Sequence, residues 1–250
     1  MKKLIKGLLD FQRHGFPAYR ETFAKLAHGQ SPDTLFISCS DSRVVPNLFA
    51  STHPGDLFVA RNVGNMVPPS DSEGVSIGDT SEASALEYAL LVLQVPDIIV
   101  CGHSGCGAMG AIHSGQGPSG AKNLTRWLEL GRPTMARFEA GELPSDTLKP
   151  ADRLSQLNVL QQLHNLMTYP LVRERVERGA LRLHGWWFDI AAARVHAYRQ
   201  DVQRFVPIDE EEGNRLINEL NTPAPTPMLA VPPSAPSAPA TAVAAAAAAS

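Results

Sequence analysis

The sequence has few cysteines, no long apolar run and little net charge, and each shortage excludes a class of protein. Three cysteines in 250 residues cannot form a disulfide framework and favour a reducing compartment, so we expect a cytoplasmic protein. No run reaches the ~20 apolar residues of a membrane helix. A net charge of −3 gives no electrostatic reason to expect nucleic acid or an anionic membrane as a partner.

The N-terminal segment is predicted to be a packing helix. Leu4, Leu8 and Phe11 recur at steps of four and three residues, which places them on one face of an amphipathic helix. Lys6 and Asp10 interrupt the apolar run, and no small-residue cleavage site follows it. For this reason we do not expect a signal peptide.

The composition changes abruptly after Asn221. Residues 222–250 hold 7 of the 20 prolines and 12 alanines, but no charged residue. Prolines at this density interrupt both helix and sheet, and the segment offers little large apolar surface to bury. We therefore predict a disordered Pro/Ala-rich tail over residues 222–250 and a single folded domain over residues 1–221.

Short apolar runs alternate with segments of helical periodicity in the predicted domain. The predicted strands are Thr34–Cys39, Leu57–Ala60, Ile98–Cys101, Ala180–Phe188 and Ala193–Tyr198. The predicted helices are Ala83–Leu93 and Asp152–Met167. Strands that alternate with helices are typical of the α/β class, so we expect a mostly parallel central β-sheet flanked by helices.

Two clusters of reactive side chains lie where predicted strands end. Cys39 ends the first strand, and His103 and Cys106 follow the Ile98–Cys101 strand. Because functional groups collect beyond the carboxyl ends of parallel strands, these three residues would meet at one sheet edge if the strands are neighbours. Two thiolates and one imidazole suit tetrahedral Zn²⁺, and three protein ligands leave a fourth position for water, as in a catalytic site.

Other interpretations of these residues stay open at this point. His113 or Asp41 would close the site by supplying a fourth ligand. A thiol redox protein would need a resolving cysteine, but no Cys-x-x-Cys is present, and Cys101 is predicted to be a core residue. Asp41 and Arg43 are two residues apart, so the guanidinium could hold Asp41 ionised and away from the metal.

Together these motifs resemble the β-class carbonic anhydrases, most closely the bacterial forms found alongside cyanate-degrading enzymes. The resemblance covers the chain from about Lys2 to Pro207. It is carried by six motifs in the same order, which are Gln30-Ser31-Pro32, Cys39-Ser40-Asp41-Ser42-Arg43, the segment from Pro54 to Asn65, Glu87-Tyr88-Ala89, Gly102-His103-Ser104-x-Cys106-Gly107 and His184-Gly185-Trp186.

The resemblance implies a reaction and the residues that perform it. It makes Cys39, His103 and Cys106 the ligands of one Zn²⁺ per chain, and Asp41 and Arg43 the catalytic dyad. The residues that it assigns to substrate binding are Gln30, Phe58, Val63 and Tyr88. The implied reaction is the reversible hydration of carbon dioxide to bicarbonate and a proton, by zinc-bound hydroxide that the dyad orients.

The resemblance also implies an assembly. The family completes its substrate pocket across a dimer interface, so we expect a homodimer or a higher even-numbered homo-oligomer. Residues 1–28 would form an N-terminal helical arm that packs on the partner subunit. Family members regulated by bicarbonate carry Trp, and often Tyr, where this chain has Phe36 and Ser104. We therefore expect a resting state in which Asp41 stays off the metal.

Two functions remain as alternatives to carbon dioxide hydration. Related enzymes hydrolyse CS₂ or COS through narrowed access to the same metal, and the acidic segment Asp71–Ser84, which we predict to be a surface loop, could reshape that access. A catalytically silent zinc-binding regulatory protein is the other alternative. Loss of Asp41 or Arg43 would mark such a protein, and both residues are present.

Overall fold

A six-stranded sheet organises the chain. The computed structural model describes residues 1–221, so the predicted tail lies outside the described residues. The strands are β1 (Thr34–Cys39), β2 (Leu57–Asn62), β3 (Asp97–His103), β4 (Arg182–Asp189), β5 (Arg194–Arg199) and β6 (Arg204–Pro207). Their order is β2-β1-β3-β4-β5-β6; the first four are parallel, and β5 and β6 are added antiparallel. The predicted α/β class with a mostly parallel sheet is confirmed.

Helices flank this sheet. They are α1 (Lys2–Asp10), α2 (Phe16–Leu26), α3 (Pro46–Phe49), α4 (Ser81–Glu87), α5 (Gly107–Ser114), α6 (Lys122–Leu128), α7 (Arg132–Glu139), α8 (Pro150–Leu166), α9 (Pro170–Glu177) and α10 (Glu210–Leu220). Single π-helical turns extend α1 at Phe11–Gly15 and α4 at Tyr88–Val92. The longest helix, α8, packs on β3 and β4, and α5 and α7 pack on α8. Helix α8 therefore lies directly behind the carboxyl end of β3.

Strand β1, which lies between β2 and β3, is buried on both of its faces. Its side chains alternate between two clusters: Leu35 and Ile37 join the main core with Val100, whereas Phe36 joins an aromatic cluster with Phe188. Every residue of β1 after the first is buried. Apolar side chains on both faces of a parallel strand leave only its ends for polar chemistry, which is where Cys39 lies.

Sequence and structure differ at the ends of several elements. The predicted closing strands are present as β4 and β5, but the pattern missed β6, which is four residues long and begins with a charged residue. The helix expected from Ala83 already begins at Ser81, so the predicted surface loop ends at Thr80. Strand β2 continues to Asn62, and this extension places its carboxyl end beside Cys39.

The N-terminal helix is present, and its apolar face is exposed. Helices α1 and α2 contain no buried residue. Leu4 and Leu8 are each 65% exposed, and Ile5 and Leu9 are each 52% exposed. The amphipathic stripe expected from the sequence therefore exists, but nothing in the described part of this chain covers it. None of the helices within residues 1–221 has the length and apolar character needed to cross a bilayer.

Candidate metal centre

The carboxyl ends of β1 and β3 bring the three expected ligands together. Cys39 ends β1, His103 ends β3, and Cys106 immediately precedes α5. Strands β1 and β3 are hydrogen-bonded neighbours, so their last residues lie close to each other. The two Sγ atoms and a ring nitrogen of His103 all lie within 4.8 Å of one another, and all three residues are buried. A single cation can contact all three groups at this spacing.

The imidazole of His103 is held in the tautomer that binds a metal. Its Nδ1 lies 2.9 Å from the carbonyl oxygen of Ser104. A carbonyl can only accept, so Nδ1 carries the hydrogen and Nε2 keeps its lone pair. That Nε2 is buried and has no hydrogen-bond partner in the described residues. A buried lone pair is costly unless it is used, and a metal ion fits this requirement.

The two thiols differ in acidity. A hydrogen bond from Cys106 is the largest cause that lowers the pKa of Cys39 to about 4. Burial opposes this shift, and the N–H of Gly64, 3.3 Å from the Cys39 Sγ, lowers the pKa further. The same shared hydrogen bond, together with burial, raises the pKa of Cys106. A divalent cation can replace the shared proton and bind both sulfurs as thiolates. Two thiolates and a neutral imidazole form a donor set that fits zinc.

Asp41 lies beside the cluster and is held by Arg43. Arg43 Nε donates to Asp41 Oδ1 at 2.9 Å, and Arg43 Nη2 donates to Asp41 Oδ2 at 2.7 Å. These side-chain hydrogen bonds are the largest cause that holds the pKa of Asp41 well below its usual range. Asp41 Oδ2 lies 3.9 Å from His103 Nε2. An ionised carboxylate therefore borders the metal position while Arg43 engages both of its oxygens.

The other candidate residues lie outside the cluster. The ring of His113 packs edge-on against Phe138 with centroids 5.4 Å apart, and within residues 1–221 the group able to hold a metal comprises only the three ligands above. Cys101 is fully buried, donates its S–H to the Gly102 carbonyl and has a pKa raised by burial, as expected of a core thiol. With Asp41 engaged by Arg43, three ligands leave a fourth position for water.

Arg61 supports the site, a role that sequence reasoning did not find. It lies on β2, and its Nε and Nη2 donate to the Cys39 carbonyl oxygen at 3.1 and 2.8 Å. Nη2 also donates to the carbonyl oxygens of Asp41 at 2.8 Å and Val44 at 2.7 Å. The guanidinium thus fixes the loop that carries Asp41 and Arg43 against the end of β1. The only sequence signal for Arg61 was its position within the motif from Pro54 to Asn65.

Helix α8 supports the ligand loops from the other side. Ser155 Oγ donates to the His103 carbonyl oxygen at 2.9 Å and accepts from the His103 N–H at 3.3 Å. Asn158 Nδ2 donates to the carbonyl oxygen of Gly64 at 2.9 Å. Both side chains are buried, although polar residues at helical spacing are typical of a solvent-exposed helix face. The leucine pattern predicted the helix but not this polar contact face.

The four residues expected to bind substrate do not form one cluster. Val63 is 42% exposed and precedes Gly64, whose N–H donates to Cys39, so Val63 borders the metal centre. The rings of Phe58 and Tyr88 stack on each other with centroids 5.7 Å apart, and Tyr88 is 44% exposed. Gln30 lines a groove of about 590 Å³ between the end of α2 and the loop before β2.

The register of β1 and β2 separates these residues from the metal. Phe58 pairs with Leu35 near the start of β1, whereas Cys39 pairs with Asn62 at its end. At ~3.3 Å per residue, the four steps from Phe58 to Asn62 span ~13 Å. Gln30 precedes β1, so it lies toward the end of that strand opposite Cys39. Within a single chain, Gln30 and Phe58 therefore lie away from the metal edge of the sheet.

Known proteins share both the sequence and the fold. Residues 34–195 match the family model described as carbonic anhydrase. The chain is 43% identical over 217 residues to a carbonic anhydrase of Pseudomonas aeruginosa. This match covers 87% of this chain and 96% of the relative. The β-carbonic anhydrase CcaA superposes with a TM-score of 0.75 at 40% identity, over 83% of this chain and 98% of that one. A tetrameric β-carbonic anhydrase of Sordaria macrospora gives a TM-score of 0.68 at 31% identity, over 78% and 95%.

These similarities cover the site as well as the scaffold. The segment that matches the family contains the three ligands and the Asp41–Arg43 pair. Identity above 40% over most of both chains shows common membership, and the buried cluster of two thiols and one imidazole is arranged to hold the zinc ion that this family uses. The resemblance identified from the motifs is therefore confirmed. The chain belongs to the β-class carbonic anhydrases, a family of zinc enzymes that hydrate carbon dioxide.

Proposed function

We propose that the protein catalyses the reversible hydration of carbon dioxide to bicarbonate and a proton, with one Zn²⁺ per chain held by its three ligands. The observation that carries the proposal is the placement of Asp41, whose Oδ2 lies 3.9 Å from the metal-facing Nε2 of His103 while both oxygens are bonded to Arg43. A site that only bound zinc for stability or regulation would have no use for an ionised carboxylate beside an open position.

The chain's own residues have separate tasks in this reaction. Bound zinc supplies Lewis acidity, which lets water lose a proton near neutral pH. Asp41 Oδ2 accepts a hydrogen bond from the attacking water and so orients it. This task needs an ionised carboxyl group, and Arg43 provides for it by holding the pKa of Asp41 well below its usual range. Arg43 also keeps Asp41 from taking the coordination position that water requires.

The substrate pocket combines residues of two subunits. Val63 borders the metal centre of its own chain, and Gln30, Phe58 and Tyr88 come from the partner chain. The distance along β1 and β2 between Phe58 and the metal edge supports this assignment, as does the exposure of Val63 and Tyr88 in the single chain. Apolar walls suit an apolar substrate, and the Gln30 amide can donate to a substrate oxygen.

The active form is a homodimer or a higher even-numbered homo-oligomer in the cytoplasm. The apolar face of α1 supports this assembly because it needs a cover that another subunit can provide, with residues 1–28 as the arm. The Sordaria macrospora relatives are described as tetrameric. The three unpaired cysteines, two of which the metal requires as thiolates, support a reducing compartment.

Sedimentation velocity tests the assembly. The double variant Leu4→Ser and Leu8→Ser removes two apolar side chains from the exposed face of α1, so we expect a smaller species than the wild type. Ile217→Ser is a matched control, because Ile217 is also an exposed apolar residue but lies on α10. An unchanged oligomer in the double variant would refute the role of the arm.

Stopped-flow measurement of carbon dioxide hydration tests the activity. We expect zinc-loaded wild-type protein to be active over about pH 6.5–9, and Asp41→Asn to be about 10²-fold slower with its zinc content unchanged. Asp146→Asn is the control, because Asp146 is an exposed carboxylate in the loop before α8. Zinc-loaded wild type that hydrates no carbon dioxide would contradict the proposal and would make CS₂ and COS the next substrates to assay.

A further inference from the structure

Gly105, which lies between the ligands His103 and Cys106, is held from both sides. Its N–H donates to Asp152 Oδ1 at 2.6 Å, and its carbonyl oxygen accepts from Arg43 Nη2 at 3.0 Å. Its φ of 61° lies in the left-handed region that favours glycine, and this conformation directs the two groups to their partners. Asp152 is thus connected to Arg43 through one residue.

Arg43 depends on hydrogen bonds for its position. Its side chain is 50% exposed, so packing restrains it only partly. Nη2 donates both to Asp41 Oδ2 at 2.7 Å and to the Gly105 carbonyl oxygen at 3.0 Å. A guanidinium bonded to Asp41 alone could rotate together with that carboxylate. The second acceptor, which belongs to a different loop, fixes the plane of the guanidinium and hence the orientation of Asp41.

Asp152 is itself fixed by the helix that carries it. It lies in the first turn of α8, three residues before Ser155, whose side chain hydrogen-bonds the His103 backbone. A carboxylate in a first helical turn also stabilises the helix through its charge, which is a purely structural role. The hydrogen bond from the Gly105 N–H requires an acceptor oxygen at a fixed position, and a negative charge elsewhere in this turn would not replace that oxygen. The two roles can therefore be separated by substitution.

We propose that Asp152 is a positioning residue that acts through Gly105 on the Arg43–Asp41 pair. Without it, the Gly105 N–H loses its acceptor, the loop between His103 and Cys106 relaxes, and the Gly105 carbonyl moves away from Arg43. Asp41 is then oriented less well for its task. This inference rests on the proposed function of the pair.

Three substitutions at one position test the proposal. Asp152→Ala removes the acceptor, and we expect about tenfold lower kcat, a typical effect of losing a supporting partner, at unchanged zinc content. Asp152→Asn keeps an acceptor oxygen but not the charge, and its kcat should stay within about twofold of wild type. Asp152→Glu keeps the charge and displaces the oxygen by one methylene, so it should lose activity but keep its thermal stability. If activity followed charge, with Asn as slow as Ala and Glu unaffected, the proposal would be wrong.

Two further measurements show whether the effect passes through Gly105 and Arg43. In an Arg43→Ala background, Asp152→Ala should cause no additional loss of activity, and additive losses would overturn the proposal. Amide hydrogen exchange of the zinc-loaded full chain reports on Gly105 independently of activity. Exchange of Gly105 should be faster in Asp152→Ala and wild-type-like in Asp152→Asn, with α10 as the internal control.

The outcomes separate this inference from the proposed function. Wild-type protein without hydration activity would refute the proposed function, whereas the exchange result would still decide whether Asp152 holds Gly105. Active wild type with an equally active Asp152→Ala would refute the positioning role alone. Unchanged exchange at Gly105 in Asp152→Ala would refute it as well.

Discussion

The two ends of β1 differ in how completely one chain builds them. At the carboxyl end, Cys39 meets the other two ligands in a buried cluster that hydrogen bonds from β2 and α8 support. Near the amino end, Gln30 lies in an open groove beside α2, a helix without a buried residue. A single chain therefore brings the three expected metal ligands together but does not bring the four expected substrate residues together. The ligands of a metal ion tolerate little displacement, so neighbouring elements of one chain hold them in place. A pocket for a small apolar substrate tolerates more, and the surfaces of two subunits can enclose it.

The largest effect is expected at the metal end. Cys39→Ser replaces a thiolate by a hydroxyl that stays protonated near neutral pH, so zinc affinity should fall by more than about 100-fold, and hydration should become undetectable. Zinc per chain after dialysis against a chelator measures this. Cys101→Ala is the matched control, because it removes a buried thiol outside the cluster and should retain zinc. Tightly bound zinc in Cys39→Ser would contradict the assignment of Cys39 as a ligand.

Mixing two defective variants tests whether the amino end completes the site of another subunit. Gln30→Ala alone should keep about a tenth of the activity, because it loses one hydrogen bond to substrate. In randomly mixed dimers of Gln30→Ala and Cys39→Ser, about a quarter of all sites pair an intact metal centre with an intact Gln30 from the partner. Recovery to about a quarter of wild-type activity is therefore expected. A mixture with only about a twentieth of wild-type activity would show that Gln30 acts in the site of its own chain.

A smaller effect is expected at Arg61, on the strand beside the metal end. Arg61→Lys keeps the charge but loses the planar fork that reaches the carbonyl oxygens of Cys39, Asp41 and Val44. The free energy of unfolding should fall by about 1–2 kcal/mol, or a few degrees in Tm, measured on zinc-free protein. Arg204→Lys, at the start of β6, is the control. Equal Tm values for the Arg61 and Arg204 variants would show that the loop needs no such support.

The smallest effect is expected at Asp97, far from the metal. Arg182 and His184 each bond this carboxylate at 2.7 Å; burial opposes ionisation, but these bonds outweigh it and lower the pKa of Asp97. A carboxyl group whose pKa is lowered by folding stabilises the fold fully at pH values above its unfolded-state pKa of ~3.9. This contribution is lost as the pH falls through the folded-state pKa.

Urea unfolding at several pH values measures this contribution. Asp97→Asn should lower the free energy of unfolding by about 1 kcal/mol at pH 7, with a difference that narrows as the pH falls below ~4. Asp201→Asn is the control, because Asp201 is 59% exposed in its ion pair with Arg199 and should have little effect. A difference that is constant with pH would contradict the assignment to ionised Asp97.

Local pattern explains which parts of the protein could be predicted. Strands β1 and β3 were found because unbroken apolar runs are typical of buried parallel strands, and the ligands were found because they end those runs. Strand β6 was missed because four residues give too short a pattern. The supporting roles of Arg61 and Ser155 were missed because each depends on a backbone group far away in the sequence. The predicted disorder of residues 222–250 lies outside the described residues and stays a prediction.

The residue types and their spacing were enough to predict the chemistry, because two thiols, one imidazole and an Asp-x-Arg pair at strand ends suit a catalytic zinc and few other groups. The protonation state and orientation of those groups depend on contacts that form when the chain folds. The Ser104 carbonyl sets the His103 tautomer, Arg43 engages both oxygens of Asp41, and Asp152 reaches Gly105 across 47 residues of chain. Hydrogen bonds are directional and join whatever the fold brings together, so no local pattern encodes them.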